Sequence, residues 1–488
     1  MSISRTAARG VAWNMLFGVG SRVVQLVGTL ILTRFIAPDA YGAVLVASIT
    51  VLTAATFTSF AFGQYLIAHK SPAEVSFQAM VLHVALGIVA MLVLVALRHP
   101  LSDWLGSPDM AQFLPGFALA HVVERVRYVP ERLLMRALRF RDIAMINGTS
   151  DVLFTATALA LVSAFGAFAI LYATVLRSVF ATVLFLYVSP SSQWLRVSPL
   201  RWPVARSLFG YGLPIMITAL ADRAATRWDS LLMSKLFGPD VMARYNLSYS
   251  LAEMPITNVA EHIGDVLMPA YSLMEESKRH SAVVRAAALI SLVISPLGVG
   301  LGAIATVLVP ALFNAQWAPM APMLMILSIM TVFRPMTWPA VAYLQASSMT
   351  RVIMILAIVR GIIVLALVGA MGWLGGPLWA CVGACIGYVL HTIVTVVAAG
   401  RATGMPIVAY LVGVGRPLLA CALMFVVVFV VGREAQALQL APLVAIALQI
   451  AIGGVTYMAS SFLFAAPTAR EFVRLARETI SRRQGRAA

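Results

Sequence analysis

Arginines buried in apolar runs are the residues of this chain most able to do chemistry. Arg22 and Arg223 each interrupt a hydrophobic stretch, and the step between them (223 − 22 = 201) also carries Arg34 to Lys235, Pro38 to Pro239, Asp39 to Asp240 and Gly63 to Gly264. A second pair, Arg125 before Pro130 and Arg334 before Pro339, recurs at its own step (334 − 125 = 209), and Arg177 and Arg360 add two unpaired cations. An arginine at the centre of a bilayer helix costs about 2.5–3.5 kcal/mol even on the lenient insertion scale, so each is expected to face protein or water. Guanidinium forks gathered in a cavity hold a diphosphate by bidentate, charge-assisted hydrogen bonds. Arg22, Arg223, Arg227, Arg125, Arg334, Arg177 and Arg360, with Gln25 on the polar stripe of Arg22, form the candidate substrate set.

The carboxylates Asp222, Asp229, Glu253, Glu261, Asp265, Asp151 and Glu124 carry the competing chemistry. One reading is static pairing: Arg223 has Asp222 and Asp229 close in sequence, Glu124 adjoins Arg125, and Arg22 has no acid in its own helix. Another is that the acids take up H+ or Na+ during coupling, because burial favours the neutral form. A third joins the two, with acids holding arginines in the empty protein and releasing them to the substrate. Snorkelling to water competes with cavity binding for Arg125 and Arg127, which lie near an expected helix end.

No resident cofactor is expected. His83, His121, His262 and His391 lack metal-ligand spacing and read as packing residues, while Cys381, Cys385 and Cys421 all sit inside apolar runs where neither metal nor disulfide is expected. No nucleophile, base and oxyanion donor can be assembled outside the membrane, so the chain does not read as an enzyme.

The elements that must position these charges follow from composition. With 61% hydrophobic and 11% charged residues among 488 and a mean hydropathy of +0.91, the chain is a membrane protein. Its net charge of +16 reflects arginines in short connectors, which is a topology signal and not nucleic-acid binding. Apolar stretches near twenty residues number about 14, the first after Arg5 and Arg9, too long for a signal peptide core. With both termini cytoplasmic, the loops around Arg132–Arg141, Arg196–Arg206 and Lys278–Arg285 lie on one side, and the cytoplasmic segments together, termini included, collect about 22 of the 35 lysines and arginines.

The expected fold is therefore an all-α polytopic membrane protein in two six-helix lobes related by a parallel repeat, plus two further helices. The lobes span 1–188 and 207–400, joined by a Pro-, Ser- and Arg-rich linker at 189–206; helices 13 and 14 occupy 401–465. The tail, 466–488, alternates Phe472, Leu475 and Ile480 with arginines. It reads either as a basic interfacial helix on anionic lipid or as a disordered topology anchor.

Several segments resemble the polysaccharide transporter, or oligosaccharyl-lipid flippase, branch of the multidrug/oligosaccharidyl-lipid/polysaccharide (MOP) exporter superfamily. They are RGVAWN (9–14) with LTRFIAPDAYG (32–42), WDSLLMSKLFGPD (228–240), LMPAYS (267–272), LVPALFNAQWAPMAPML (308–324) and LRFRD (138–142). Ala37 departs from the glycine usual before the first Pro-Asp, and Arg244 from a small residue. The resemblance implies a bacterial inner-membrane protein that moves an undecaprenyl-diphosphate-linked oligosaccharide from the cytoplasmic to the periplasmic leaflet, for pathways such as O-antigen or exopolysaccharide synthesis. It implies a cationic cavity between rocking lobes, membrane lipid as surroundings, and polysaccharide polymerase and chain-length machinery as partners. The competing classes are a proton- or cation-coupled drug antiporter of the same superfamily, whose cationic substrates suit an arginine cavity poorly, and a membrane polymerase or ligase, which needs a long external loop not present here.

Overall fold

The computed structural model describes residues 20, 21, 24–69 and 71–484, with side chains described except at 257–266 and 479–484. Among the described residues the chain is helical and contains no strand. Among the described residues, eleven helical spans are long and apolar enough to cross a membrane, one of them, Met320–Ala346, across a short 3₁₀ turn. The protein is a multi-pass membrane protein.

Two compact units divide the chain, 1–243 and 244–488. The first contains α1 (Val24–Phe35), α2 (Pro38–Phe57), α3 (Phe62–Ala68), α4 (Ala73–Ala96), α5 (Arg98–Trp104), α6 (Met110–Arg136), α7 (Phe140–Phe165), α8 (Phe168–Val188) and α9 (Trp202–Phe237). The next helix, α10 (Pro239–Leu273), begins in this unit and continues into the second. There follow α11 (Glu276–Leu312), α12 (Met320–Phe333), α13 (Trp338–Ala346), α14 (Thr350–Gly375), α15 (Pro377–Thr403), α16 (Ile407–Ala437), α17 (Pro442–Phe464) and α18 (Ala466–Gln484). The units part within α10, and α9 packs along α2, α3 and α4.

The repeated Pro-Asp has a local cause. Pro38 and Asp39 open α2, and Pro239 and Asp240 open α10. Proline at a first helical position gives up an N–H that has no helical partner anyway, and an acid in the first turn complements the positive end of the helix. Gly238, at φ +87°, ends α9 in a conformation that favours glycine. Ala37 at the corresponding site has φ −68° and ψ 152°, ordinary extended backbone, so the departure at Ala37 carries no strain. A Cβ at Gly42 in α2 would overlap the backbone of Pro239. The two repeated turns thus touch inside the first unit.

Two expected helices are broken. The stretch 42–66 divides into α2 and α3 around Thr58–Ala61, with Ala61 left-handed at φ 49°. The stretch 319–345 divides at Arg334, where Pro335 opens a short 3₁₀ turn before α13. Each break leaves helix-end carbonyls without intrahelical donors. The tail forms α18, an amphipathic helix of 19 residues.

Candidate functional site

Arg125 lies in the middle of α6 and is only 3% exposed, so it does not snorkel. Its guanidinium donates to the end of α2: Nη2 to the Ala55 carbonyl at 2.8 Å and to Thr58 Oγ1 at 2.7 Å, and Nη1 to the Thr58 carbonyl at 3.2 Å. Nε donates to His121 Nε2 at 3.1 Å, one turn back on the same helix. A cation at a helix C-terminus meets both the orphan carbonyls and the negative end of the helix dipole, which is how this break is tolerated in a membrane. All the guanidinium nitrogens of Arg125 are thereby engaged.

The room for Arg125 comes from Gly87 in α4. A Cβ at Gly87 would lie 3.0 Å or less from the Arg125 Cγ, Cδ and Nε. His83, one turn earlier on α4, is 3% exposed and faces the same guanidinium. Its ring stacks on Tyr128 with centroids 4.1 Å apart. The Tyr128 hydroxyl donates to Gln64 Oε1 at 2.9 Å, and this ties α6 to α3 across the break.

Beside this cluster opens a cavity of ≈230 Å³, whose lining includes His83, His121, Glu124, Arg125, Arg127 and Arg223. Arg127 is partly neutralised: Nη2 lies 3.5 Å from Glu124 Oε1, Nη1 donates to Asn147 Oδ1 at 3.4 Å, and the guanidinium sits 5.4 Å from the Phe185 ring centre. Arg223 differs. It is half-buried on α9, its Nε is buried without a hydrogen-bond partner, and it makes no ion pair among the described residues. Arg227, one turn further along α9, is half-buried and is not part of this lining. Asp222 is exposed and has interactions of its own, while Asp229 is 2% exposed and accepts from the Ser230 N–H at 2.8 Å.

A second cavity of ≈360 Å³ adjoins the first and shares Leu52, His121 and Glu124 with it. Gln25, Thr29, Tyr41, Thr174, Arg177 and Ser178 give it polar walls. Arg177 Nη2 lies 2.8 Å from Asp151 Oδ1, an ion pair by distance whose angles fall outside hydrogen-bond geometry. Ser178 donates to Glu124 Oε1 at 3.2 Å, so Glu124 stands between the two compartments with contacts in both.

The first unit therefore brings together Arg125, Arg223, Arg177, Gln25, Glu124 and Asp151. Arg334 belongs to the second unit, where it is ion-paired with Glu253 at the α12 break. The small cavity there, ≈40 Å³, is lined by Tyr249, Glu253, Arg334, Trp338 and Tyr388 among others. Arg360 is half-buried on α14 and engaged within its surroundings. Arg22 lies outside the described residues, as do the side chains of Glu261 and Asp265. His83, His121 and Tyr128 belong to the site although sequence reasoning treats the histidines as packing. A signal for them exists: His121, Glu124, Arg125, Tyr128 and Glu131 succeed one another at helical spacing and make a polar stripe on α6. Among the described residues no group of acidic, histidine or cysteine side chains could hold a metal ion.

Comparison with known proteins follows the same lines. A family described as polysaccharide biosynthesis protein matches residues 31–322. The succinoglycan biosynthesis transport protein ExoT of Rhizobium meliloti (strain 1021) is 26% identical over 438 residues, covering 87% of this chain and 86% of that one. The lipopolysaccharide biosynthesis protein WzxC of Escherichia coli (strain K12) is 23% identical over 407 residues, covering 81% and 80%. Among solved structures, the lipid II flippase MurJ in an inward closed conformation superposes with a TM-score of 0.73 at 14% identity, over 94% of this chain and 99% of that one. A multidrug resistance MATE transporter of the MOP superfamily, inward-facing, gives 0.62 at 17% identity over 78% and 94%. The chain thus has the fold of the MOP exporters and belongs to the polysaccharide biosynthesis protein family.

Proposed function

We propose that this protein is a flippase that carries an undecaprenyl-diphosphate-linked oligosaccharide, the repeat unit of a surface polysaccharide, from the cytoplasmic to the periplasmic leaflet of a bacterial inner membrane. The observation that carries this reading is Arg223, a half-buried arginine without an ion pair among the described residues, on the wall of a polar cavity inside a membrane-spanning unit. A cation left in that state is stabilised by an anionic ligand, and a diphosphate matches the guanidinium fork. The lipid tail stays in hydrocarbon while glycan and diphosphate pass along the polar walls, and the lobes alternate access around them. Family membership and relatives named for polysaccharide synthesis and transport support this reading over catalysis.

The full reading has 14 transmembrane helices. To the eleven apolar ones it adds the one that includes α1, and α6 and α10, which are long enough to span but more charged. Both termini are cytoplasmic, which puts the arginine-rich loops inside. Little coupling to H+ or Na+ is needed for export, because the membrane potential already drives negative charge outward. A polysaccharide polymerase and chain-length machinery act on the delivered repeat unit. The test is complementation of a strain lacking the chain: Arg223→Gln inserts at normal abundance but exports no polymer, and normal export by that variant would refute the anion-cavity role.

A further inference from the structure

At one end of the second unit the N-terminal parts of α11 and α16 meet the start of α18 around two adjoining cavities of ≈430 and ≈710 Å³, which share Arg285, Pro467 and Glu471. We propose that they form a binding site for one anionic phospholipid, with its phosphate held by Arg416, Arg470 and Arg474 and an acyl chain laid on the wall between α11 and α16.

The charge count comes first. Glu471 is ion-paired with Arg285, which fastens α18 to α11 and neutralises one cation. Arg416 and Arg470 are exposed and make no ion pair among the described residues; Arg474 has only Glu478 on its own helix, at 4.0 Å. The cations therefore exceed the acids around one opening, and guanidinium groups there are matched by phosphate.

The wall distinguishes a lipid from a soluble anion. Val284 and Ala288 on α11 and Ala409 and Val412 on α16 line the larger cavity, an apolar trough that a free phosphate would not use. The position suits the same ligand. α17 ends at Phe464 and α18 starts at Ala466, so the arginines follow directly on a membrane span. Leu463, Phe464 and Phe472 are exposed beside them, at 72%, 40% and 45%, as expected where hydrocarbon gives way to headgroups. The proposal does not depend on what the first unit transports.

Native mass spectrometry of the full chain in maltoside micelles tests it, with palmitoyl-oleoyl phosphatidylglycerol, the matching phosphatidylcholine and inorganic phosphate as probes. The wild type is expected to retain one phosphatidylglycerol in preference to phosphatidylcholine, undisturbed by millimolar phosphate. Replacing Arg416, Arg470 and Arg474 by glutamine is expected to weaken retention by about fivefold per arginine removed, and lysine at the same positions to keep most of it. Ala409→Trp, which fills the trough and leaves every arginine in place, is expected to lose the lipid as well. Equal retention of the two lipids, full retention by the glutamine or tryptophan variant, or displacement by inorganic phosphate would overturn the proposal.

Discussion

Arg125 and Arg223 line one cavity and are held in opposite ways. Arg125 spends its donors on the Ala55 and Thr58 carbonyls, Thr58 Oγ1 and His121, whereas Arg223 makes no ion pair among the described residues. Their variants should therefore differ. Arg125→Gln leaves the Thr58 carbonyl without a donor and takes the charge-assisted bond from Ala55, a loss of about 1–3 kcal/mol for each bond, so a thermal melt of the purified protein should shift down by several degrees and cellular abundance should fall. Arg223→Gln should melt as the wild type does, while transport of the lipid-linked substrate is lost with the charge that would hold its diphosphate. The sequence marks both residues as cations in apolar helices but cannot tell them apart. Two of the acceptors of Arg125 are backbone oxygens 67 and 70 residues away, which have no side-chain signature.

At the scale of elements, helix breaks organise both units. The α2 break is held by Arg125 in the first, and Arg334 pairs with Glu253 at the α12 break in the second. Neither break was legible as a break: the apolar runs 42–66 and 319–345 continue across them, and hydropathy does not see an unmade backbone bond. The recurrence of Arg125 and Arg334 at a common step was legible, and so were the helix starts, because Pro-Asp carries its own mechanism. Gly87 gives the test. Gly87→Val would push into the Arg125 side chain and should reproduce the stability loss of Arg125→Gln, whereas Gly87→Ala should do so less. Arg177 and Asp151 give a second. If their ion pair positions the wall of the second cavity, Arg177→Asp and Asp151→Arg should each reduce export, and the double exchange should recover most of it, read from surface polysaccharide on a gel.

For the whole molecule, composition already dictated a polytopic membrane protein. The packing of α9 along α2, α3 and α4 was less legible, because hydropathy marks a span but not its neighbours. Energetics then sets the direction of transport. Negative charge leaving an inside-negative compartment gains about 2.3 kcal/mol per charge per 100 mV, and a positive empty cavity returns inward along the same field. Dissipating the potential in proteoliposomes should therefore slow translocation, and reversing it should slow it further. The most direct measurement is translocation of a fluorescent undecaprenyl-diphosphate oligosaccharide in proteoliposomes containing the wild type, Arg223→Lys or Arg223→Gln. The account predicts transport by the wild type, reduced transport by the lysine variant and none above empty liposomes by the glutamine variant. Equal rates for the wild type and Arg223→Gln would contradict it.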